Sequence, residues 1–102
     1  MKIWLDDIRP IPASFTHWAK TAKEAIVYLM TGECEAISLD HDLGEDSAGT
    51  GYNVALWIEQ AAHSGAINPL LWTIHSANPI GRARMLAALN NANRYWVERF
   101  SG

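Results

Sequence analysis

All five aspartates of the sequence fall in two short runs, Asp6-Asp7 and the stretch Leu39-Asp40-His41-Asp42-Leu43-Gly44-Glu45-Asp46. A third polar cluster, His75-Ser76 with Asn78, stands further along. Each follows a short apolar stretch: Lys2-Ile3-Trp4-Leu5, Ala36-Ile37-Ser38-Leu39 and Leu70-Leu71-Trp72-Thr73-Ile74. Brought to one spot, the clusters assemble four carboxylates (Asp6, Asp7, Asp40, Asp42), two imidazoles (His41, His75), the Ser76 hydroxyl and the Asn78 amide. Carboxylates crowded into a partly buried site repel one another and resist ionisation unless a cation sits among them. Oxygen ligands of this kind suit Mg²⁺ or Mn²⁺, which take a few carboxylates and keep several waters. A divalent ion held there turns an electropositive face to a phosphate, so the clusters point to metal-assisted phosphate chemistry. Taken singly, an Asp-Asp after a strand is most often a turn or a helix cap, and a His-Asp reads likewise as a hydrogen-bonded turn. Three clusters closing three strands argue for a site, because open α/β sheets gather functional groups beyond the carboxyl ends of their strands.

The elements that must position these residues follow from periodicity. The three apolar stretches are strand-length, and near-continuous apolarity suits strands of a parallel sheet covered on both faces. Thr21-Ala22-Lys23-Glu24 has the form of a capping box, and Ala22, Ala25, Ile26 and Leu29 follow at helical spacing up to a stop at Gly32. A second helix is predicted from Thr50 or Gly51, with Val54, Trp57, Ile58 and Ala61 on one face and Ser64-Gly65 closing it. A third starts at Asn78-Pro79, with Asn as cap and Pro at the first position. Its predicted inner face is Ala83, Leu86 and Ala87, and its predicted end Asn90-Asn91. Pro10 and Pro12 leave no room for a regular helix between Ile8 and Phe15. Thr16-His17-Trp18-Ala19-Lys20 reads as a short strand, and Tyr95 to Phe100 as a final edge strand or a packed tail. The order β, loop, β, α, β, α, β, α predicts one small α/β domain over residues 1–102, with a mainly parallel sheet.

Three motifs carry a family likeness. Leu5-Asp6-Asp7-Ile8-Arg9-Pro10, Ser38-Leu39-Asp40-His41-Asp42-Leu43-Gly44 and His75-Ser76-Ala77-Asn78-Pro79, extended by Gly81, resemble the signature of the receiver-like domains named for cyclic-phosphate processing. These are a divergent branch of the response-regulator receiver superfamily, and the resemblance covers nearly the whole chain. It implies a flavodoxin-like, receiver-like three-layer sandwich, α/β in class, with the first helix and the last β-α unit abbreviated. It also implies that Asp6 and Asp7 are the acidic pair that holds Mg²⁺, that Asp40 stands at the phospho-accepting position, and that Ser76 is the hydroxyl that contacts a phosphoryl group. The chain departs from ordinary receivers in its double-proline segment and in His41, Asp42 and His75 beside those positions. After the third helix it offers Arg94 and Arg99 but no lysine to grip an aspartyl phosphate. That weakens phosphorelay signalling and favours hydrolysis.

The expected function is therefore a metal-dependent phosphoesterase that processes a cyclic phosphate on an RNA end or a nucleotide. Mg²⁺ or Mn²⁺ held by Asp6, Asp7 and Asp40, with Asp42 beside them, would polarise a phosphodiester oxygen. His41 and His75 would act as base and acid near neutral pH. Ser76, Asn78 and helix amides would hold non-bridging oxygens. Asp40 as a covalent nucleophile is a second route. Arg9, beside the acidic pair, is expected to bind substrate or to pair with Asp7. The alternative function is a degenerate receiver acting as a phospho-accepting or metal-bound interaction module without catalysis. A binding domain that keeps the acidic pocket as a remnant is a third. Trp4, Trp57 and Trp72 are read as core, Cys34 as inert, and the glycine-containing loop after Asp42 as a lid or a long turn.

Composition narrows the classes. With 8 Lys+Arg against 11 Asp+Glu the formal charge is −3, and the apolar fraction of 49% excludes intrinsic disorder. A mildly acidic chain is no general binder of duplex nucleic acid, which needs clustered cations. No apolar stretch is long enough for a bilayer, no signal-peptide core opens the chain, and one cysteine forms no internal disulfide, so a cytoplasmic location is expected. The acidity is local: without the six acids of the two runs, the remaining chain is net basic. A phosphorylated small molecule or RNA end remains compatible with that distribution, with RNA-repair or signalling proteins as expected partners.

Overall fold

Strands fall where the apolar runs do in the computed structural model, which describes residues 1–100. The elements are β1 (Lys2–Leu5), β2 (His17–Ala19), α1 (Ala22–Leu29), β3 (Ala36–Leu39), α2 (Gly51–Ser64), β4 (Leu71–Ile74) and α3 (Pro79–Phe100). All pairings are parallel and the sheet order is β2-β1-β3-β4. This is a flavodoxin-like, receiver-type arrangement in which the irregular segment 8–15, and not a regular first helix, lies over the Trp4 face of the sheet. It sets β1 and β3 side by side at the centre, and Leu5, Leu39 and Ile74 level with one another. The residues that follow them therefore emerge at one edge of the sheet.

Alternation splits the strands into two faces. Ile3, Leu5, Ala19, Ile37 and Leu39 point one way and are buried beneath the helices, where α2 packs against both α1 and α3. Trp4, Trp18, Ser38, Leu71 and Thr73 point the other way. The irregular segment between β1 and β2 overlays part of that second face. Phe15 meets the Trp4 ring edge-on at 5.3 Å, and the Trp4 indole N–H donates to the Arg9 carbonyl at 2.9 Å. The two prolines keep this segment from becoming the first helix, as its sequence predicts.

Helix starts obey their capping residues. Thr21 accepts from the Glu24 N–H, Thr50 and Asn53 form a reciprocal capping box, and Asn78 Oδ1 accepts from the Gly81 N–H at 3.0 Å. The end of α3 differs from expectation. The helix runs through Asn90-Asn91 to Phe100, so Tyr95 to Phe100 is helical, not a strand or tail. Asparagine weakens a helix when its side chain competes for local backbone. Here Asn91 donates instead to Glu59 Oε2 at 2.7 Å, and Asn93 Oδ1 accepts from the Trp72 indole at 3.0 Å. The buried stripe of α3 is Gly81, Met85, Ala88, Leu89, Ala92 and Trp96, whereas Ala83, Leu86 and Ala87 are exposed. Burying Met85, Leu89 and Trp96 removes more apolar area from water than the rival stripe does, which decides the rotation. No helix among the described residues is long and apolar enough to cross a membrane.

Candidate functional site

The first residue past β1 is Asp6, 1% exposed. Its Oδ1 accepts the backbone N–H groups of Ile8 and Arg9, both at 2.8 Å, and its Oδ2 lies 3.0 Å from His75 Nε2. Burial pushes its pKa up, but the two N–H donors and His75 outweigh burial and hold the carboxyl below its ordinary value. Asp6 is therefore a fixed, ionised group. The Trp18 indole donating to its carbonyl at 2.7 Å anchors the backbone beneath it.

Asp40, one strand over, is less satisfied. Its Oδ1 accepts the His41 N–H at 2.8 Å, and its other oxygen receives no hydrogen bond from the described residues. Burial pushes its pKa up, and the charge of Asp6 adds to that against the opposing His41 N–H. Ligand atoms of Asp6, Asp40 and His75 lie within 4.8 Å of one another. At an effective dielectric of about 20, two like charges about 5 Å apart repel by about 3 kcal/mol. The loop reaches this point only because Gly51 opens α2: a Cβ there would overlap the Asp40 carbonyl.

A cavity of about 370 Å³ lies over these groups, lined by Asp6, Asp7, Ile8, Arg9, Asp40, Asp42 and Gly44. Four carboxylates thus face one guanidinium. Arg9 makes no ion pair among the described residues; its Nη1 donates to the His75 carbonyl at 2.8 Å and ties the segment after β1 to the end of β4. Gly44, at φ +89°, lets the following loop approach Asp7, since a Cβ there would stand 3.1 Å from Asp7 Oδ2. Asp42 accepts from His41 Nδ1 at 3.0 Å and from Asn78 Nδ2 at 3.3 and 3.4 Å. The hydrogen bond from His41 holds its pKa below the ordinary value. A carboxylate only accepts, so the hydrogen of this contact is on His41 Nδ1, which in the neutral ring leaves a lone pair on Nε2. The His41 ring rests on Gly81, where a Cβ would overlap it.

The structure brings together the four carboxylates and Arg9 of the residues singled out in the sequence. The others surround them. His41 and Asn78, at the rim of the cavity, hold Asp42, and Ser76 Oγ accepts the Asn78 N–H at 3.1 Å in the turn before α3. His75 stands behind Asp6, with Nε2 on Asp6 and Nδ1 2.7 Å from Ser38 Oγ. Burial lowers the His75 pKa against the pull of Asp6, so the ring is neutral at pH 7. Three neighbours of His75 escaped the sequence reading. Trp4, read as core, stacks flat on the imidazole at 3.9 Å, and Ser38 and Thr73 are bonded to each other at 2.9 Å. A signal was present: Thr73 and His75 are two apart, so they share a strand face.

The donor set is one of hard oxygens, one of them unpartnered and its carboxyl resistant to ionisation, which fits a hard divalent cation. No curated protein and no solved structure matches the chain. The family model described as the cyclic-phosphate processing receiver domain matches residues 1–91, which include every residue of the cavity and every group that braces it. The chain belongs to the cyclic-phosphate processing receiver domain family.

Proposed function

We propose that this domain is a metal-dependent phosphoesterase that opens a cyclic phosphate on a nucleotide or an RNA end. The observation that carries the reading is the charge of the cavity: Asp6, Asp7, Asp40 and Asp42 against Arg9 alone. An anionic phosphate enters such a place only with a cation, and Mg²⁺ or Mn²⁺ held by those four carboxylates would supply charge neutralisation and polarise a phosphate oxygen. Arg9 offers its remaining N–H groups to a second oxygen. Ser76, whose Oγ accepts from Asn78, keeps its own O–H for a third. Water attacks phosphorus, the bond to one ribose oxygen breaks, and His41 Nε2 takes the proton of the water while Nδ1 stays on Asp42. The released ribose oxygen takes up the proton that His41 Nε2 received, directly or through water, leaving a phosphomonoester. His75, with both nitrogens engaged, holds Asp6 in place. The lone thiol of Cys34 is in keeping with a reducing, cytoplasmic setting, where RNA-repair or signalling proteins would be its partners.

A second reading, a phospho-accepting receiver module without turnover, is favoured by one observation: the unpartnered oxygen of Asp40 at the end of a central strand. One pair of assays separates the two. Incubation with a 2′,3′-cyclic nucleotide and Mn²⁺ is expected to yield a phosphomonoester, with loss of turnover in EDTA or in Asp40→Asn. Incubation with acetyl phosphate followed by intact mass measurement is expected to leave the mass unchanged. A stable phosphoryl adduct on Asp40 without cyclic-nucleotide turnover would establish the module instead, and neither result would overturn both.

A further inference from the structure

Two guanidinium groups hold the end of β4 from opposite sides. The trans peptide between Ile74 and His75 turns its N–H toward β3, where it donates to the Leu39 carbonyl at 3.0 Å, and so turns the Ile74 carbonyl outward. Arg82 Nη1 donates to that outward carbonyl at 2.7 Å. Arg9, on the side of the cavity, donates through Nη1 to the next carbonyl, that of His75, at 2.8 Å. Neighbouring Cα atoms lie about 3.8 Å apart, so the two groups serve one point of the chain. Neither is in an ion pair among the described residues. Arg82 is also tied to the cavity through its own helix. Its N–H donates at 2.8 Å to the carbonyl of Asn78, the residue whose side-chain amide holds Asp42.

Stability gives no account of Arg82. It is the fourth residue of α3, whose first turn carries no acid, and a cation there opposes the positive end of the helix dipole. Its bond to Ile74 is exposed, so water would serve that carbonyl as well. The bond uses one N–H of the guanidinium, and the remaining donors form a fixed fork that suits a phosphate. We propose that Arg82 is a specificity-determining residue that binds a second phosphate of the substrate, at the 5′ position of the nucleoside whose cyclic phosphate occupies the cavity. An anion there neutralises Arg82 and the start of α3 together. The inference deepens the function proposed above and rests on it. A free 5′-monophosphate and the diester that continues an RNA strand present the same oxygens to Arg82.

Titration calorimetry of the full chain with Mn²⁺ tests this with adenosine 3′-monophosphate, adenosine 3′,5′-bisphosphate and the dinucleotide ApAp. The bisphosphate or the dinucleotide is expected to bind about tenfold more tightly than the monophosphate, the scale of one charge-assisted hydrogen bond at an exposed position. A gain for both puts Arg82 on any 5′-phosphate; a gain for one alone names the source, free nucleotide or RNA strand. In Arg82→Gln the ratio of affinities falls to about one. Arg82→Lys, which keeps the charge without the fork, gives an intermediate ratio. Arg84→Gln, exposed on the same helix, keeps the wild-type ratio. Each ratio is taken within one variant, so a partly unfolded sample does not alter it. Equal affinity of the wild type for all three probes overturns the proposal and leaves the cation site standing. A ratio that survives Arg82→Gln also overturns it. Affinity for none of them overturns the proposal and the function together. Binding of the bisphosphate that needs Arg82 but no Mn²⁺ upholds the arginine site and overturns the cation site.

Discussion

On the helix-covered face of the sheet, Ile3, Leu5, Ile37 and Leu39 are sealed in apolar contact. One residue along the same strands, on the other face, stand Trp4, Ser38 and Thr73, joined to His75 and Asp6 by stacking and a directed line of hydrogen bonds. The first face stabilises through area removed from water, which has no direction and tolerates repacking. The second is held by directed contacts, each of which needs a particular partner at a particular distance. Two neighbours in sequence, Ser38 and Leu39, therefore answer to different physics: one hydrogen-bonds to His75 and Thr73, the other is sealed in the core.

Substituting those two neighbours is the sharpest way to break that contrast. Leu39→Ala is expected to lower stability by about 2–5 kcal/mol through lost transfer energy and a cavity. Ser38→Ala should cost about 1–2 kcal/mol, the cost of one buried acceptor left unmade. Chemical denaturation measures both, and equal losses would mean that the second face is a core like the first.

The next effect is acid sensitivity. The folded His75 has a pKa below the ordinary 6.5, so the unfolded chain takes up that proton first and stability falls as pH drops through about 6.5. Asp6, also depressed, adds the same sign of loss as pH falls below its ordinary 3.8. Asp40, raised, acts with the opposite sign and gains relative stability on acidification. Between about pH 7.5 and 5.5 the His75 contribution governs, with a slope of at most about 1.4 kcal/mol per pH unit. His75→Gln is expected to flatten that slope in denaturation curves; an unchanged slope would place the titrating group elsewhere.

Smallest in magnitude, and opposite in sign, is the effect of neutralising the cavity. Asp40→Asn removes a carboxylate pressed against Asp6, and is expected to raise metal-free stability by about 1 kcal/mol, or a melting temperature about 4–8 °C higher. The same change should abolish stabilisation by Mg²⁺. A variant that melts lower than the wild type without metal would show that Asp40 supports the fold rather than strains it.

Much of this was legible in local sequence. Thr21, Thr50 and Asn78 mark helix starts because capping is decided within four residues. Asp6, Asp7, Asp40 and Asp42 were placed at one site because parallel strands end level. What sequence hid depends on partners far along the chain. Asn91 and Asn93 stay helical through Glu59 and Trp72. Ser38 gains its meaning only when the register sets it opposite Thr73, and Trp4 only when β4 delivers His75 beneath its ring. Sequence puts His75 in one cluster with the acids, and the sheet face decides that it stands behind Asp6 instead of lining the cavity.

The most direct test of the cation site is a ¹H–¹⁵N correlation spectrum followed through a Mg²⁺ titration. The account predicts saturable changes confined to the amides of residues 6–9, 40–44 and 75, absent in Asp40→Asn. Saturation with no change at those amides, or changes that survive in Asp40→Asn, would contradict it.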